Sequence, residues 1–228
     1  AVKLYLATII NSNFEEWYLQ NKDKSIADFK FTFKKVSKSG ALFDLEKLGN
    51  ISKTYFSRLT KDELYEQEVK YLEEFDQEFL HVFTKNSDYS KSILNIEREI
   101  KKPRKDIEKY SDIKRLFSFM YDETFKPTWD EKEIDIELIS DYLNNIYAEN
   151  DDKNTWFNKI NEFALNNGYT SVKEYKLNPE NYKGHVGDIC EMLRYAITSL
   201  TQTPDLYEIM HILGKEKILN RVDMYKNK

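Results

Sequence analysis

Cysteine is almost missing from this chain of 228 residues. Cys190 stands by itself, which excludes a disulfide framework and any metal site built on several thiolates, and fits a reducing compartment. Glycine and proline are scarce, at 6 and 4 residues, too few for a chain of many short strands joined by tight turns. No apolar run approaches the roughly 20 residues needed to span a bilayer, so no membrane partner is expected. Val2–Ile10 carries Lys3, with no small-residue cleavage site after it, so no secretory leader is expected. The chain opens on Ala1 rather than Met, which points to a piece of a longer protein. What is present is a hydrophobic content of 40%, enough for a packed core, in a length suited to one large domain or two small ones.

The net charge of −5 is unevenly spread. Residues 1–115 balance at +2, residues 116–153 at −8, and residues 154–228 at +1. The acidity thus sits around Asp130, Glu131, Glu133, Asp135 and Glu137, which reads as a solvated helix face and says little about any other surface.

Most of the chain patterns as helix. Thr60-Lys61-Asp62-Glu63 has capping-box form, and Leu64, Val69, Leu72, Phe75, Phe79 and Val82 follow at helical steps among charges. Further helices are expected over Ser92–Lys101, stopped by Pro103, over 106–121 and over 130–148. Trp156–Leu165 and Gly187–Leu200 supply two more. Thr203-Pro204-Asp205 reads as an N-cap, a first-turn proline and a carboxylate at the positive helix end. Gly214 reads as the stop, with a last helix from about Lys215. Phe29–Lys34 alternates with period two and could be a short strand, or equally the end of a helix from Ser25. The fold class expected is all-α, with at most a short strand pair near residues 29–44.

Motifs for autonomous catalysis are lacking. Lys35-Val36-Ser37-Lys38-Ser39 looks like a lysine–serine loop for ATP phosphates, but that loop needs a nucleotide-binding sheet and an upstream His-x-Gly-His. His81 is the first histidine, and no glycine-rich phosphate loop occurs. His81, His185 and His211 each lack a second ligand at metal spacing, and Cys190 has no paired base nearby in sequence. Aromatics (16 Tyr, 14 Phe, 3 Trp) among 29 Lys and 6 Arg are compatible with stacking on unpaired bases and holding phosphates. They are equally compatible with a core and a solvated surface.

Two segments point further. Leu193-Arg-Tyr-Ala-Ile-Thr-Ser-Leu200, Thr201-Gln-Thr-Pro-Asp-Leu-Tyr-Glu-Ile209 and Ile212-Leu-Gly-Lys-Glu216 resemble the end of bacterial glutamyl-tRNA synthetases. There the pattern is Leu-Arg-x-Ala-Leu-Thr-Gly, Pro-x-Leu-Phe-Glu-Ile and Leu-Gly-Lys-Glu. Val36-Ser-Lys-Ser-Gly-Ala-Leu-Phe-Asp44, followed by Glu46-Lys-Leu48, resembles the stem-contact region of the same family. Ser199 departs from the usual Gly, Asn50 from a usual Trp and Ser52 from a usual Asn.

The resemblance implies the C-terminal half of such a synthetase. Residues 1–60 would be the stem-contact region, 61–125 the first helical part of the anticodon-binding region, and 126–228 its C-terminal part, an α-helical anticodon-binding bundle. Catalysis, with ATP and Mg2+, would belong to a domain outside this fragment, which holds no cofactor and is expected to be inactive by itself. The family's anticodon reading carries over to Arg194, Thr203, Pro204, Asp205 and Leu206. Lys38, Ser39 and Lys47 are the candidates for tRNA-stem phosphate contacts. The expected partner is tRNA-Glu, with tRNA-Gln left open, and no DNA, for a cytoplasmic monomer. The competing class is a helical protein–protein adaptor that uses exposed aromatics as its interface.

Overall fold

The computed structural model describes residues 1–36, 42–130 and 132–228 and places them in thirteen α-helices, four short 3-10 turns and one two-residue strand pair. The fold is all-α. The chain divides into two compact units, Ala1–Arg115 and Leu116–Lys228.

The first unit begins with α1 (Val2–Ile10), α2 (Phe14–Gln20) and α3 (Leu45–Phe56). Phe14 is fully buried, with the Phe29 ring edge-on to it at 5.0 Å. The alternating segment after Phe29 is not a strand: Phe33–Lys35 form a 3-10 turn, and Val36 makes an isolated antiparallel bridge with Asn11. Alternation here buries no face, since Phe31 is 49% and Phe33 86% exposed. No strand pair forms near residues 29–44 among the described residues.

The capping box at Thr60 is as expected. Thr60 Oγ1 accepts from the Glu63 N–H at 3.2 Å, and the Glu63 carboxylate accepts from the Thr60 N–H at 2.9 Å. The helix it starts, α4 (Lys61–Phe75), stops at Asp76, and α5 (Gln77–Thr84) begins anew. Asp76 makes the break: its carboxylate accepts from the Phe79 N–H at 3.0 Å and pairs with Lys114 at 2.6 Å. Next, α6 (Ser87–Leu94) ends well before Pro103, because buried Arg98 donates to the carbonyls of Leu94 (2.8 Å) and Phe56 (2.6 Å). The unit boundary falls within α7 (Ser111–Phe117). This helix starts later than the apolar pattern predicts, since Asp112 accepts from the N–H groups of Glu108 and Lys109.

The second unit holds α8 (Ile136–Asn145), α9 (Lys153–Asn166), α10 (Val172–Leu177), α11 (Val186–Thr198), α12 (Leu206–Leu213) and α13 (Lys215–Lys226). The strands β1 (Tyr169–Thr170) and β2 (Gly184–His185) pair in parallel, Tyr169 opposite Gly184. Helix α11 is central, packing on α8, α9 and α13 with Ile189, Leu193, Tyr195, Ala196 and Ile197 all fully buried. Trp129, Tyr195 and Tyr225 form an aromatic cluster, and Trp129 Nε1–H donates to the Tyr195 carbonyl at 3.0 Å. Arg221 is absorbed by this core: it is 3% exposed, donates to the carbonyls of Ile197 (2.8 Å) and Phe119 (2.7 Å), and lies 3.9 Å from the Phe125 ring centroid.

Candidate nucleic-acid interface

The corner between α11 and α12 gathers most of the expected site residues. Helix α11 ends at Ser199, whose φ of +61° is left-handed, a conformation that glycine adopts without penalty. Here a hydroxyl offsets that cost, because Ser199 Oγ accepts from the N–H groups of Thr128 at 3.0 Å and Trp129 at 3.1 Å. Thr198 closes the turn, its Oγ1 donating to the Arg194 carbonyl and accepting from the Leu200 N–H.

Arg194 lies in the C-terminal half of α11, half-buried between fully buried Leu193 and Tyr195. Its Nε–H donates to Thr203 Oγ1 at 3.1 Å. Its two terminal amino groups make no hydrogen bond or ion pair among the described residues. The guanidinium is thus tethered at one nitrogen and open at the fork that could grip a base or phosphate bidentately. It contrasts with Arg221, whose two amino ends are spent on carbonyls.

Thr203 does not cap α12. The cap is Asp205, whose Oδ1 accepts from the Glu208 N–H at 3.0 Å, while its Oδ2 pairs with Lys153 at 2.7 Å. Thr203 is freed for Arg194 and donates its own hydroxyl proton to the Pro204 carbonyl at 2.9 Å. Pro204 and Leu206 are buried, so they shape the corner from beneath rather than present themselves to solvent. Tyr207 fixes the other side, its hydroxyl donating to the Asp151 carbonyl at 2.9 Å and its ring packing on Trp156. Lys153 and Asp151 carried no signal in the sequence, because they meet the corner through tertiary folding, whereas Tyr207 lies within the Thr201–Ile209 segment that carries the resemblance.

Lys47 sits in the first turn of α3, in the first unit. Asp44 caps that helix by accepting the Lys47 N–H at 2.9 Å, and the Lys47 ammonium pairs with Glu15 at 2.7 Å. Both side chains are well exposed, at 39% and 52%, so the pair is weak and can exchange partners. Asn50 shares with Lys47 the lining of a cleft of about 450 Å3. Ser52 is buried, with its hydroxyl on the Glu108 carbonyl. Lys38 and Ser39 lie outside the described residues.

Burial pushes the Cys190 thiol up to about 11, so it remains protonated near neutrality. Among the described residues no three His, Cys, Asp or Glu side chains stand where they could hold a metal ion. No helix of those residues is long and apolar enough to cross a membrane.

The profile of one family, the anticodon binding domain, matches residues 45–225. The chain is 40% identical over 228 residues to a glutamate–tRNA ligase of Acetivibrio thermocellus, covering 97% of this chain and 42% of that protein. It is 38% identical over 227 residues to a glutamate–tRNA ligase of Clostridium perfringens, covering 96% and 42%. A third, from Clostridium beijerinckii, is 34% identical over 233 residues, covering 98% and 42%. The chain therefore spans about 42% of the length of these relatives.

Proposed function

Since the chain belongs to the anticodon binding domain family, we propose that it is the tRNA-binding, carboxyl-terminal part of a glutamate–tRNA ligase, a class I aminoacyl-tRNA synthetase. It holds the stem and anticodon loop of tRNA-Glu so that the rest of the ligase can join glutamate to the tRNA terminus at the expense of ATP. That chemistry, with ATP and Mg2+, lies in polypeptide outside this chain, and these residues supply recognition in a cytoplasmic protein.

The observation that carries the reading is the half-tethered Arg194. Specific RNA recognition targets loop nucleotides whose Watson–Crick edges are open to hydrogen bonding. A guanidinium fixed at Nε by Thr203, with both amino groups free, is oriented for such an edge. Pro204 and Leu206 hold the floor, and Asp205 locks the helix start behind it. In the first unit, Lys47 exchanges Glu15 for a stem phosphate, a contact that positions the RNA without reading it. Lys38 and Ser39 belong to the same proposed contact.

The test is binding of tRNA-Glu and of a tRNA with an unrelated anticodon to the 228-residue chain. Arg194→Ala should weaken tRNA-Glu binding by about 1–3 kcal/mol, the scale of one base-directed contact, and leave the unrelated tRNA unchanged. Equal losses for both tRNAs would demote Arg194 to a backbone contact. No binding of either tRNA by the unaltered chain would favour the adaptor class.

A further inference from the structure

The first unit contains a second cleft, of about 560 Å3, that the proposed recognition corner does not use. Its lining includes Lys22, Arg58, Arg98, Lys101 and Lys105 against two carboxylates, Asp23 and Glu99. Glu99 is already engaged, accepting the Lys61 N–H at the start of α4 at 3.1 Å.

The cations outnumber the carboxylates, and among the described residues none of the five is in ion-pair contact with one. Lys22 and Lys101 are exposed and make no ion pair among the described residues, and Lys105 reaches only the Thr54 hydroxyl, at 3.4 Å. Arg58 donates to the Tyr18 carbonyl at 3.0 Å with its guanidinium 3.8 Å above the Tyr18 ring, which fixes its plane without neutralising it. Arg98 is 8% exposed and spends Nε and Nη1 on carbonyls, with no carboxylate in ion-pair contact. Asp106 and Glu99 act on Arg98 only from beyond ion-pair distance, and a partly buried guanidinium with no anion in contact gains from an arriving phosphate. By contrast, Arg104 on the same loop is neutralised by Asp106 and Glu97.

We propose that this cleft is a sequence-independent site for the phosphodiester backbone of structured RNA, separate from the α11–α12 corner. It rests on the RNA-binding reading above. The cleft is lined by no aromatic ring on which a base could stack, so its cations bind backbone and carry no base information. The Lys22, Lys101 and Lys105 side chains come from surface loops, as suits contacts that follow a long polyanion, while Arg58 and Arg98 form the rigid floor.

The test uses the full 228-residue chain with Lys101→Ala/Lys105→Ala, both exposed positions, so folding is preserved. Each lost phosphate contact should reduce affinity by about 3-fold in moderate salt and make the log–log salt slope shallower by about 1. The double variant should therefore bind tRNA-Glu and the unrelated tRNA about 10-fold more weakly, with the same loss for both. In parallel, bound tRNA should protect Lys101 and Lys105 of the unaltered chain from amine acetylation, read by mass spectrometry.

Unchanged affinity and slope, with Arg194→Ala still selective, would overturn the cleft proposal and leave the anticodon reading standing. A loss confined to one tRNA would overturn its sequence independence. Equal protection by the same concentration of inorganic pyrophosphate would reassign the cleft to small anions and overturn the RNA proposal. Absence of any tRNA binding by the unaltered chain would overturn both readings together.

Discussion

At the scale of single residues, Glu68 is the clearest liability. It is 0% exposed within α4, and neither carboxylate oxygen has a hydrogen-bond partner. Burial, reinforced by Asp76, pushes its carboxyl up to about 8. The folded chain therefore keeps a proton there that the unfolded chain has released above its ordinary value near 4.5. The unfolded state binds fewer protons across that interval, so this group makes stability fall as pH rises from about 4.5 to about 8. The slope is up to about 1.4 kcal/mol per pH unit. Glu68→Gln should flatten this slope and raise the melting temperature at pH 7.5, with the advantage fading below pH 5; parallel pH profiles that differ by a constant would contradict the assignment. No sequence pattern marks Glu68, because a glutamate among charges on a helix reads as solvated. Ser199 is the converse case. Its departure from glycine is visible in the sequence, but its compensation is not, since Thr128 and Trp129 lie some seventy residues away in the chain.

At the scale of elements, caps decide where helices begin and end, and they were legible to different degrees. The Thr60 box and the Gly214 stop stand in the sequence as local patterns, and both are present. Gly214 has φ +79° and ψ 156°, a region open almost solely to glycine. The break at Asp76 is hidden because Phe75 and Phe79 keep a four-residue step across it, while the deciding partner, Lys114, is distant. At α12 the sequence reads Thr203 as the N-cap and Asp205 as a carboxylate at the positive helix end. The carboxylate wins, because Lys153 neutralises its outer oxygen and Arg194 occupies the threonine. Asp205→Ala should cost about 0.5–2 kcal/mol for the lost cap, with the exposed pair to Lys153 adding less than 1 kcal/mol. Chemical denaturation would check this, and a change below about 0.3 kcal/mol would return the capping role to Thr203.

At the scale of the whole molecule, the helical class was legible in the scarcity of glycine and proline and in the apolar spacing. The anticodon candidates come from family resemblance alone. The cationic cleft was not, since its lining is scattered from Leu19 to Lys105 and assembles only on folding. Each of the two units has buried residues of its own, the second centred on Trp129, Tyr195 and Tyr225. Residues 116–228 produced separately should therefore give a helical circular dichroism spectrum and a cooperative melt. A broad, non-cooperative transition would show that this unit cannot sustain itself. The single Nε tether on Arg194 has a final consequence. On the proposed RNA contact, a side chain already steadied before its target arrives surrenders little motion on engagement, so untethering it should speed RNA release far more than it slows capture. Cutting the tether through Thr203→Val would leave the charge in place and shorten the lifetime of the complex.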